Sequence, residues 1–272
     1  MAERLLAAGH EVCVYNRTLA KAIPLKKHNA KVTNDPQEAI TYGSCVILLL
    51  SDARAIQDVL FTPARAILRK RVIIQMGTIA PIESEKFLRR MRIAGGQYLE
   101  CPVLGSRAEA KDGRLILMLG STREQYLKWK KFLTCFGSRP YWIGPVGKAA
   151  ALKLALNQLI ASHAVAIAAS AGLVRRYGVP MKIFSQILRP SALYAPMFDK
   201  KLPRMLKGDY ARPNFSVKHL LKDVELFLRT ARAADLSVAH VVGIRKILQQ
   251  TCQKGWGDAD YSALFDIVVP SG

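Results

Sequence analysis

Acidic residues are scarce in this 272-residue chain: 20 Asp and Glu stand against 41 Lys and Arg, and the formal net charge at pH 7 is +21. A charge of that size attracts nucleic acids, anionic surfaces and anionic metabolites. The basic residues are spread along the chain without a long basic tail, and no pattern of interleaved basic and aromatic residues appears in the sequence. We therefore favour a solvated basic surface that suits anionic metabolites, with nucleic-acid binding as the alternative.

Cysteine is also sparse, and its five positions are scattered without a close pair or a metal-type spacing. This distribution excludes a disulfide framework and a cysteine-based metal site of the usual spacing. The five residues are Cys13, Cys45, Cys101, Cys135 and Cys252. Three of them lie inside or beside apolar runs, where a buried free thiol is expected. We also expect no metal and a reducing cytoplasmic location.

Long hydrophobic runs are absent except at residues 149–174, which are mostly Ala, Leu, Ile and Val. The run is long enough to cross a bilayer, but Lys153 and Asn157 interrupt it. A lysine at the centre of a spanning helix costs about 3 kcal/mol. We predict a long buried helix and no membrane partner. Because polar Glu3 and Arg4 stand at the start of the sequence, we also expect no secretory leader.

Short apolar runs alternate with helical stretches up to about residue 145. Fully apolar strands between helices indicate a parallel sheet covered on both faces, as in a doubly wound α/β domain. Strands are predicted at residues 12–15, 45–50, 72–75, 98–101 and 115–119, and helices at 19–27 and 81–92. Beyond Pro145 the periodicity is helical throughout, with a first helix of roughly thirty residues. We predict an α/β domain at 1–145 and an all-α domain at 146–272.

The turn after the first predicted strand carries Asn16, Arg17 and Thr18. In a dinucleotide-binding fold, the end of the second strand faces the adenosine ribose, where an acidic residue selects NAD and an arginine accommodates the 2′-phosphate of NADP. Arg17 could pair with that phosphate while Asn16 and Thr18 donate hydrogen bonds. An ordinary surface loop is the competing interpretation.

Lys153 and Asn157 are four residues apart, hence on one face of the long predicted helix. A lysine in an apolar setting can donate a proton to a carbonyl as hydride arrives, and an asparagine can hold the same oxygen. A lysine that extends its ammonium to water beside a core amide is the competing interpretation.

Six short motifs in this order resemble the β-hydroxyacid dehydrogenase family, which includes 3-hydroxyisobutyrate and 6-phosphogluconate dehydrogenases and the glyoxylate and succinic semialdehyde reductases. The resemblance covers essentially the whole chain. The motifs are residues 5–18 (LLAAGHEVCVYNRT), 75–81 (QMGTIAP), 100–106 (ECPVLGS), 153–157 (KLALN), 222–223 (KD) and 257–264 (GDADYSAL).

The resemblance implies a Rossmann-like doubly wound sheet followed by an all-α domain, and it implies residue roles. Lys153 would be the general acid in aldehyde reduction, or the general base in alcohol oxidation. Asn157 would orient the lysine and the substrate oxygen, and Gly105 and Ser106 would offer backbone amides to a substrate carboxylate. Cofactor contacts, with NADPH preferred over NAD, are implied for Asn16, Arg17, Thr18, Leu50, Ser51, Thr78 and Lys222.

Three features depart from the family pattern. The first strand and glycine-rich turn, whose amides bind the pyrophosphate, are absent from this sequence, so we expect a sheet without its first strand and weak cofactor binding. Leu104 stands where many relatives have serine, which makes the substrate pocket more apolar. Ala149 stands where relatives often have glycine, and its methyl group either crowds the cofactor or favours the helix.

Three functions remain in competition. The leading one is NADPH-dependent reduction of a small carboxylate-bearing aldehyde such as glyoxylate or succinic semialdehyde. The second is oxidative NAD(P)-dependent 3-hydroxy acid dehydrogenation, and the third is a catalytically silent scaffold or nucleic-acid-associated member. We also expect a homo-oligomer, a dimer or tetramer, because the helical half has more apolar surface than one short bundle hides.

Overall fold

A computed structural model describes residues 1–62 and 65–270. The chain forms two compact units, Met1–Lys153 and Leu154–Gly272, with the boundary inside one long helix. The strands are β1 Cys13–Tyr15, β2 Lys31–Thr33, β3 Cys45–Leu48, β4 Val72–Gln75, β5 Gln97–Glu100, β6 Val103–Leu104, β7 Ile116–Gly120 and β8 Pro140–Gly144.

The α-helices of the first unit are α1 Ala2–Ala7, α2 Pro36–Tyr42, α3 Ala53–Phe61, α4 Pro81–Ile93, α5 Arg107–Asp112 and α6 Arg123–Leu133. Helix α7, Lys148–Arg176, begins in the first unit and continues into the second. The second unit adds α8 Met181–Leu188, α9 Met197–Lys207, α10 Val217–Arg232, α11 Ala239–Thr251 and α12 Phe265–Val268.

The larger sheet of the first unit has six strands. Strands β3, β4 and β5 are parallel, and their last residues Leu48, Gln75 and Glu100 stand in register. Every residue of β4 is buried, as expected for an apolar strand with helices on both faces. The sheet is mixed rather than wholly parallel, because β7 runs antiparallel to β5 and β6 and parallel to β8.

Strands β1 and β2 form a separate two-stranded parallel sheet. Among the described residues no strand joins this pair to β3, which agrees with the expected Rossmann-like sheet lacking its first strand. Val12 beside β1 and Cys45 and Ile47 of β3 nevertheless pack against one buried cluster that contains Leu5 and Val72. Apolar packing therefore connects the two sheets where hydrogen-bonded pairing does not.

The helix predicted at residues 19–27 is instead two short 3₁₀ helices, Leu19–Lys21 and Ile23–His28. Pro24 lacks the N–H that an α-helix would bond to the fourth preceding carbonyl. Asn29 then ends the second turn with a left-handed backbone, φ 65°.

The predicted long helix is confirmed by α7, which has 29 residues. By length and composition it is the single helix of residues 1–62 and 65–270 that could cross a membrane. Four alanines at helical spacing form its fully buried face and belong to the apolar core of the second unit. They are Ala161, Ala164, Ala168 and Ala171.

An ion pair lies inside that helical core. Both carboxylate oxygens of Asp260 accept hydrogen bonds of 2.7 Å from Lys201 Nζ, and Asp260 is fully buried. Ser262 donates its amide and hydroxyl to Asp260 Oδ1 at 3.1 and 2.8 Å. Arg204 contacts Oδ2 at 3.2 Å. The C-terminal motif at 257–264 therefore joins α9 to the end of the chain through one carboxylate.

The Asp260 carboxylate predicts a stability that depends on pH. Burial alone would raise its pKa, but the Lys201 ammonium and the Ser262 donors hold the pKa below its ordinary value of 3.8. Its contribution is therefore present above pH 3.8 and is lost as the pH falls through the lowered pKa. We expect Asp260→Asn to lower the free energy of unfolding at neutral pH by about 3–5 kcal/mol, because Lys201 loses its buried counter-ion.

Urea unfolding at several pH values measures both effects, and the variant should show a flatter acid limb than the parent protein. The matched control is Asp258→Asn, since the Asp258 side chain pairs with Lys218 while 88% exposed. That change should cost less than about 1 kcal/mol. Equal losses for the two variants would contradict a stabilising role for the buried pair.

Candidate active site

Three of the predicted cofactor residues lie beyond the carboxyl ends of β3 and β4. Leu50 and Ser51 follow β3, and Thr78 follows β4. A Cβ at Gly77 would lie 2.7 Å from the Leu50 carbonyl oxygen, so the two loops touch and only glycine permits the approach. The structure thus brings Leu50, Ser51 and Thr78 to the sheet edge where open α/β sheets bind ligands.

The turn after β1 is shaped by its own asparagine. Asn16 Oδ1 accepts the Thr18 amide at 2.9 Å, which is an Asx turn. Arg17 and Thr18 are exposed, and no other described residue pairs with the Arg17 guanidinium. An exposed cation after a parallel strand fits the phosphate-bearing adenosine end of a dinucleotide. Strand pairing, however, does not connect this turn to the edge formed by Leu50 and Thr78.

Gly105 and Ser106 connect β6 to α5. Gly105 has φ 137°, and a Cβ there would lie 2.8 Å from Leu115 Cδ2, so this position requires glycine. Ser106 is the N-cap of α5 and forms a capping box with Glu109. The Ser106 amide donates to Glu109 Oε2 at 2.7 Å, and its hydroxyl donates to the same oxygen. The Ser106 amide, one of the two donors expected to bind a substrate carboxylate, is therefore engaged by a carboxylate of the chain itself.

The N-terminus of α7 is bound by a buried acid. Glu100, the last residue of β5, is 1% exposed, and its Oε1 accepts three backbone amides: Gly147 at 2.8 Å, Ala149 at 2.9 Å and Ala150 at 3.1 Å. Ser84 donates its hydroxyl to Oε2. Burial raises the pKa of Glu100, and the Ser84 and backbone donors act in the opposite direction.

Lys153 and Asn157 lie one turn apart on α7. Lys153 is half-buried, and Asn157 is 3% exposed. Asn157 Nδ2 donates to Asp223 Oδ2 at 2.6 Å. Since a carboxylate only accepts, this contact determines which way the amide faces. Asn157 Oδ1 is then buried without a hydrogen-bond partner among residues 1–62 and 65–270, which leaves an acceptor ready for a hydroxyl or an ammonium.

Lys222 is linked to Asn157 through Asp223. Lys222 Nζ lies 3.0 Å from Asp223 Oδ1, and the Asp223 side chain is 3% exposed. The pair is therefore not the surface ion pair that adjacent charged residues usually form. Sequence reasoning placed Lys222 in the site but left Asp223 out. The missed signal is that Asp223 falls between Leu220 and Val224 on the buried face of α10.

A second feature that the sequence analysis missed is a basic and aromatic surface on α6 and β8, here called the α6–β8 surface. The Arg123 guanidinium lies 4.9 Å from the Trp142 ring and 5.1 Å from the Tyr126 ring. Arg139 lies 5.3 Å from the Tyr141 ring. Trp142 and Tyr141 are 40% and 45% exposed. The sequence shows no such pattern, because α6 and β8 are separate in sequence and their side chains meet only in the fold.

Two family models match the chain. Residues 1–144 match the NAD binding domain of 6-phosphogluconate dehydrogenase, and residues 147–268 match the model described as NAD-binding of NADP-dependent 3-hydroxyisobutyrate dehydrogenase. Glyoxylate/succinic semialdehyde reductase 1 of Arabidopsis thaliana is 31% identical, over 98% of this chain and 93% of that protein.

Another relative is the cytokine-like nuclear factor N-PAC of Drosophila melanogaster, which is 26% identical over 96% of this chain but only 44% of its own length. A solved structure, the 3-hydroxyisobutyrate dehydrogenase of Salmonella typhimurium, superposes with a TM-score of 0.86 at 22% identity. That alignment covers 98% of this chain and 94% of the other. The shared fold is an α/β sheet domain followed by a helical domain.

Proposed function

The chain belongs to the β-hydroxyacid dehydrogenase family of NAD(P)-dependent oxidoreductases that act on CH–OH groups, and on that basis we propose that it reduces a small carboxylate-bearing aldehyde with NADPH. The observation that carries the proposal is the placement of Lys153 one turn before an asparagine whose amide is oriented by buried Asp223. The name of the Arabidopsis relative supports the substrate class, because glyoxylate and succinic semialdehyde each carry a carboxylate and an aldehyde.

Bound NADPH would supply the hydride that reaches the carbonyl carbon. Lys153 Nζ would donate a proton to the carbonyl oxygen at the same time, leaving a neutral amine that regains its proton from solvent. Asn157 presents Oδ1, an acceptor, which suits the hydroxyl of the product. With an alcohol and NADP⁺ the same groups run in reverse, so oxidative 3-hydroxy acid dehydrogenation remains the alternative, and kinetics in both directions separate the two.

The proton-donating role of Lys153 predicts that Lys153→Met lowers kcat for succinic semialdehyde by about 10²- to 10⁴-fold. NADPH affinity should be unchanged, because the proposed role concerns the carbonyl oxygen. Steady-state kinetics and a fluorescence titration of NADPH measure the two quantities. Lys148→Met is the matched control, since Lys148 is the exposed first residue of the same helix. A Lys153→Met enzyme with undiminished kcat would rule out the general-acid assignment.

The exposed guanidinium of Arg17 supports the preference for NADPH. Removing a charge-assisted contact with the 2′-phosphate forfeits about 1.5–3 kcal/mol, roughly 10- to 150-fold in affinity. We expect Arg17→Gln to weaken NADPH binding by that factor and to leave NADH binding unchanged. Lys21→Gln, a neighbouring exposed cation, is the control. If both cofactors weaken equally, Arg17 does not select the phosphate.

The contact between Glu109 and Ser106 predicts a gain of activity on substitution. Glu109 occupies the Ser106 donors and repels an arriving carboxylate, so Glu109→Gln should raise kcat/KM for succinic semialdehyde by about two- to fivefold, the range of a partly exposed charge interaction. Butyraldehyde, which has no carboxylate, should not gain. Glu83→Gln is the control, because Glu83 occupies the corresponding capping position of α4. A gain for both aldehydes, or for neither, would show that Glu109 does not discriminate by charge.

A second candidate function is association with single-stranded nucleic acid, and the α6–β8 surface is the observation that favours it. Exposed rings flanked by cations suit base stacking and phosphate contact. The N-PAC relative is named as a nuclear factor, which is compatible with this function. We expect micromolar-range binding that weakens steeply with salt and is lost in the double variant Arg123→Gln, Trp142→Ala.

Fluorescence anisotropy with a labelled oligonucleotide, repeated over a range of salt concentrations, measures this binding. The exposed pair Lys200 and Lys207 on α9 offers a control in which two charges are removed elsewhere. If that control loses as much affinity as the α6–β8 variant, the binding follows net charge alone and this second function is rejected.

We also propose that the protein is a homo-oligomer that associates through the helical unit. Large apolar side chains on this unit are exposed to water: Leu173 at 61%, Tyr177 at 80%, Ile187 at 68% and Leu193 at 79%. Contiguous exposed apolar surface commonly marks a protein interface. Light scattering that returns the mass of a monomer would contradict this proposal.

A further inference from the structure

We infer that Glu100 is a positioning residue for Lys153, acting through the first turn of α7. The inference rests on the proposed role of Lys153 as general acid. It gives a purpose to a carboxylate that lies in the 100–106 motif without contacting the predicted substrate donors. Glu100 makes no ion pair with any described residue, so its negative charge is balanced only by neutral hydrogen-bond donors and by the helix terminus.

The burial of Glu100 is unusual for an acid. At 1% exposure the carboxylate has given up its water, which is tolerated only where donors replace that water. Three amides of one helix terminus converge on Oε1, and the positive end of a helix dipole favours an anion there. The opposite oxygen receives the Ser84 hydroxyl. The carboxylate is therefore hydrogen-bonded to the N-terminus of α7 through one oxygen and to α4 through the other. These hydrogen bonds to α7 are called the grip below.

The rest of this network fixes the carboxylate itself. Ser84 Oγ lies 2.9 Å from the Tyr98 hydroxyl, and since the single Ser84 proton goes to Glu100, Tyr98 donates to Ser84. All three side chains are 1% exposed or less. A Cβ at Gly120 would overlap the Glu100 carboxylate. Only glycine at position 120 leaves room for the grip.

The connection to Lys153 is one helical turn long. Ala149 donates its backbone amide to Glu100. Under the α-helical pattern, the carbonyl of the same residue accepts the backbone amide of Lys153. A helix moves as a rigid body over such a distance, so the rotation and height of the first turn determine where the Lys153 side chain begins. Displacements of about 1 Å in a catalytic group can reduce rates by about a hundredfold.

Three variants separate positioning from charge. Glu100→Gln retains an acceptor for the three amides, and its amide group can donate to Ser84. Glu100→Ala removes the grip. Leu133→Ala, a fully buried residue of the same unit, is a destabilised control in which α7 keeps its grip. We expect Glu100→Ala to lower kcat for succinic semialdehyde at least tenfold with KM changed less than about threefold, the pattern expected when transition-state stabilisation alone is lost.

Rescue and comparison decide the outcome. Glu100→Gln should keep kcat within about threefold of the parent enzyme, and Leu133→Ala should keep its kcat even if its Tm falls as far as that of Glu100→Ala. The inference is overturned if the two alanine variants lose kcat alike, or if the glutamine variant fails as badly as the alanine variant. If Glu100→Ala does not fold, Ser84→Ala replaces it as the test, because this variant removes only the hydrogen bond to Oε2. Ser84→Ala must then show a loss of kcat, smaller than that expected for Glu100→Ala. An unchanged kcat in Ser84→Ala overturns the inference.

Hydrogen exchange distinguishes this inference from the function on which it rests. If the parent enzyme reduces no aldehyde, the proposed function fails, but the amides of residues 149–154 can still be measured by mass spectrometry. Faster exchange of this segment in Glu100→Ala, with unchanged exchange in Glu100→Gln and Leu133→Ala, supports the grip on the first turn. Equal exchange in all variants overturns it.

Discussion

A buried carboxylate has to accept hydrogen bonds from the protein in place of those from water, and three such carboxylates hold parts of this chain together. Glu100 accepts hydrogen bonds from the first turn of α7, Asp223 accepts one from the Asn157 amide, and Asp260 accepts them from Lys201. Each is no more than 3% exposed. In a chain with only 20 acidic residues, these three lie where separate helices and strands have to be held in one arrangement.

The three carboxylates differ in the kind of hydrogen-bond donor that they bind, and the donor depends on where each carboxylate lies in the fold. Asp260 neutralises a lysine inside a helical core and stabilises the fold of the second unit. Asp223 orients the neutral amide of Asn157. Asn157 Oδ1 is left without a hydrogen-bond partner among the described residues, which is unfavourable for stability but useful for binding a ligand. Glu100 has neither a cation nor a substrate contact, and its donors all come from backbone and hydroxyl groups. Stability and chemistry thus both use buried carboxylates, in distinct environments.

The surface is strongly basic, because the chain has 41 Lys and Arg but only 20 Asp and Glu. The α6–β8 surface concentrates part of that charge around exposed rings. Glu109, in contrast, brings a negative charge to the Ser106 amide, one of the donors that the family resemblance assigns to a substrate carboxylate. The basic surface attracts an anionic ligand over a long range and changes its association rate. The Glu109 carboxylate repels a bound anion at short range and changes its dissociation rate.

Periodicity was enough to predict α7 and the apolar strands β3 and β4, because a helix or a strand of this kind produces a recognisable spacing of apolar residues along the sequence. It failed at residues 19–27, where Pro24 interrupts the helical pattern. The family resemblance, in turn, implied a substrate-binding role for Ser106 without its partner Glu109. Capping by Glu109 was visible as a serine followed three residues later by a glutamate, so that signal was available and its consequence was overlooked.

The sequence alone determined the family, the order of α/β and all-α parts, and the pairing of Lys153 with Asn157 on one helix, since these depend on local spacing and on motifs. Only the tertiary structure decided that Asp223 orients Asn157, that Glu100 holds the turn before Lys153, and that Arg123 meets Trp142. Each of those contacts joins residues that are 19 or more positions apart in the numbered sequence. Local periodicity carries no information about which distant side chain will supply the donor or the ring, because that is settled when strands and helices pack.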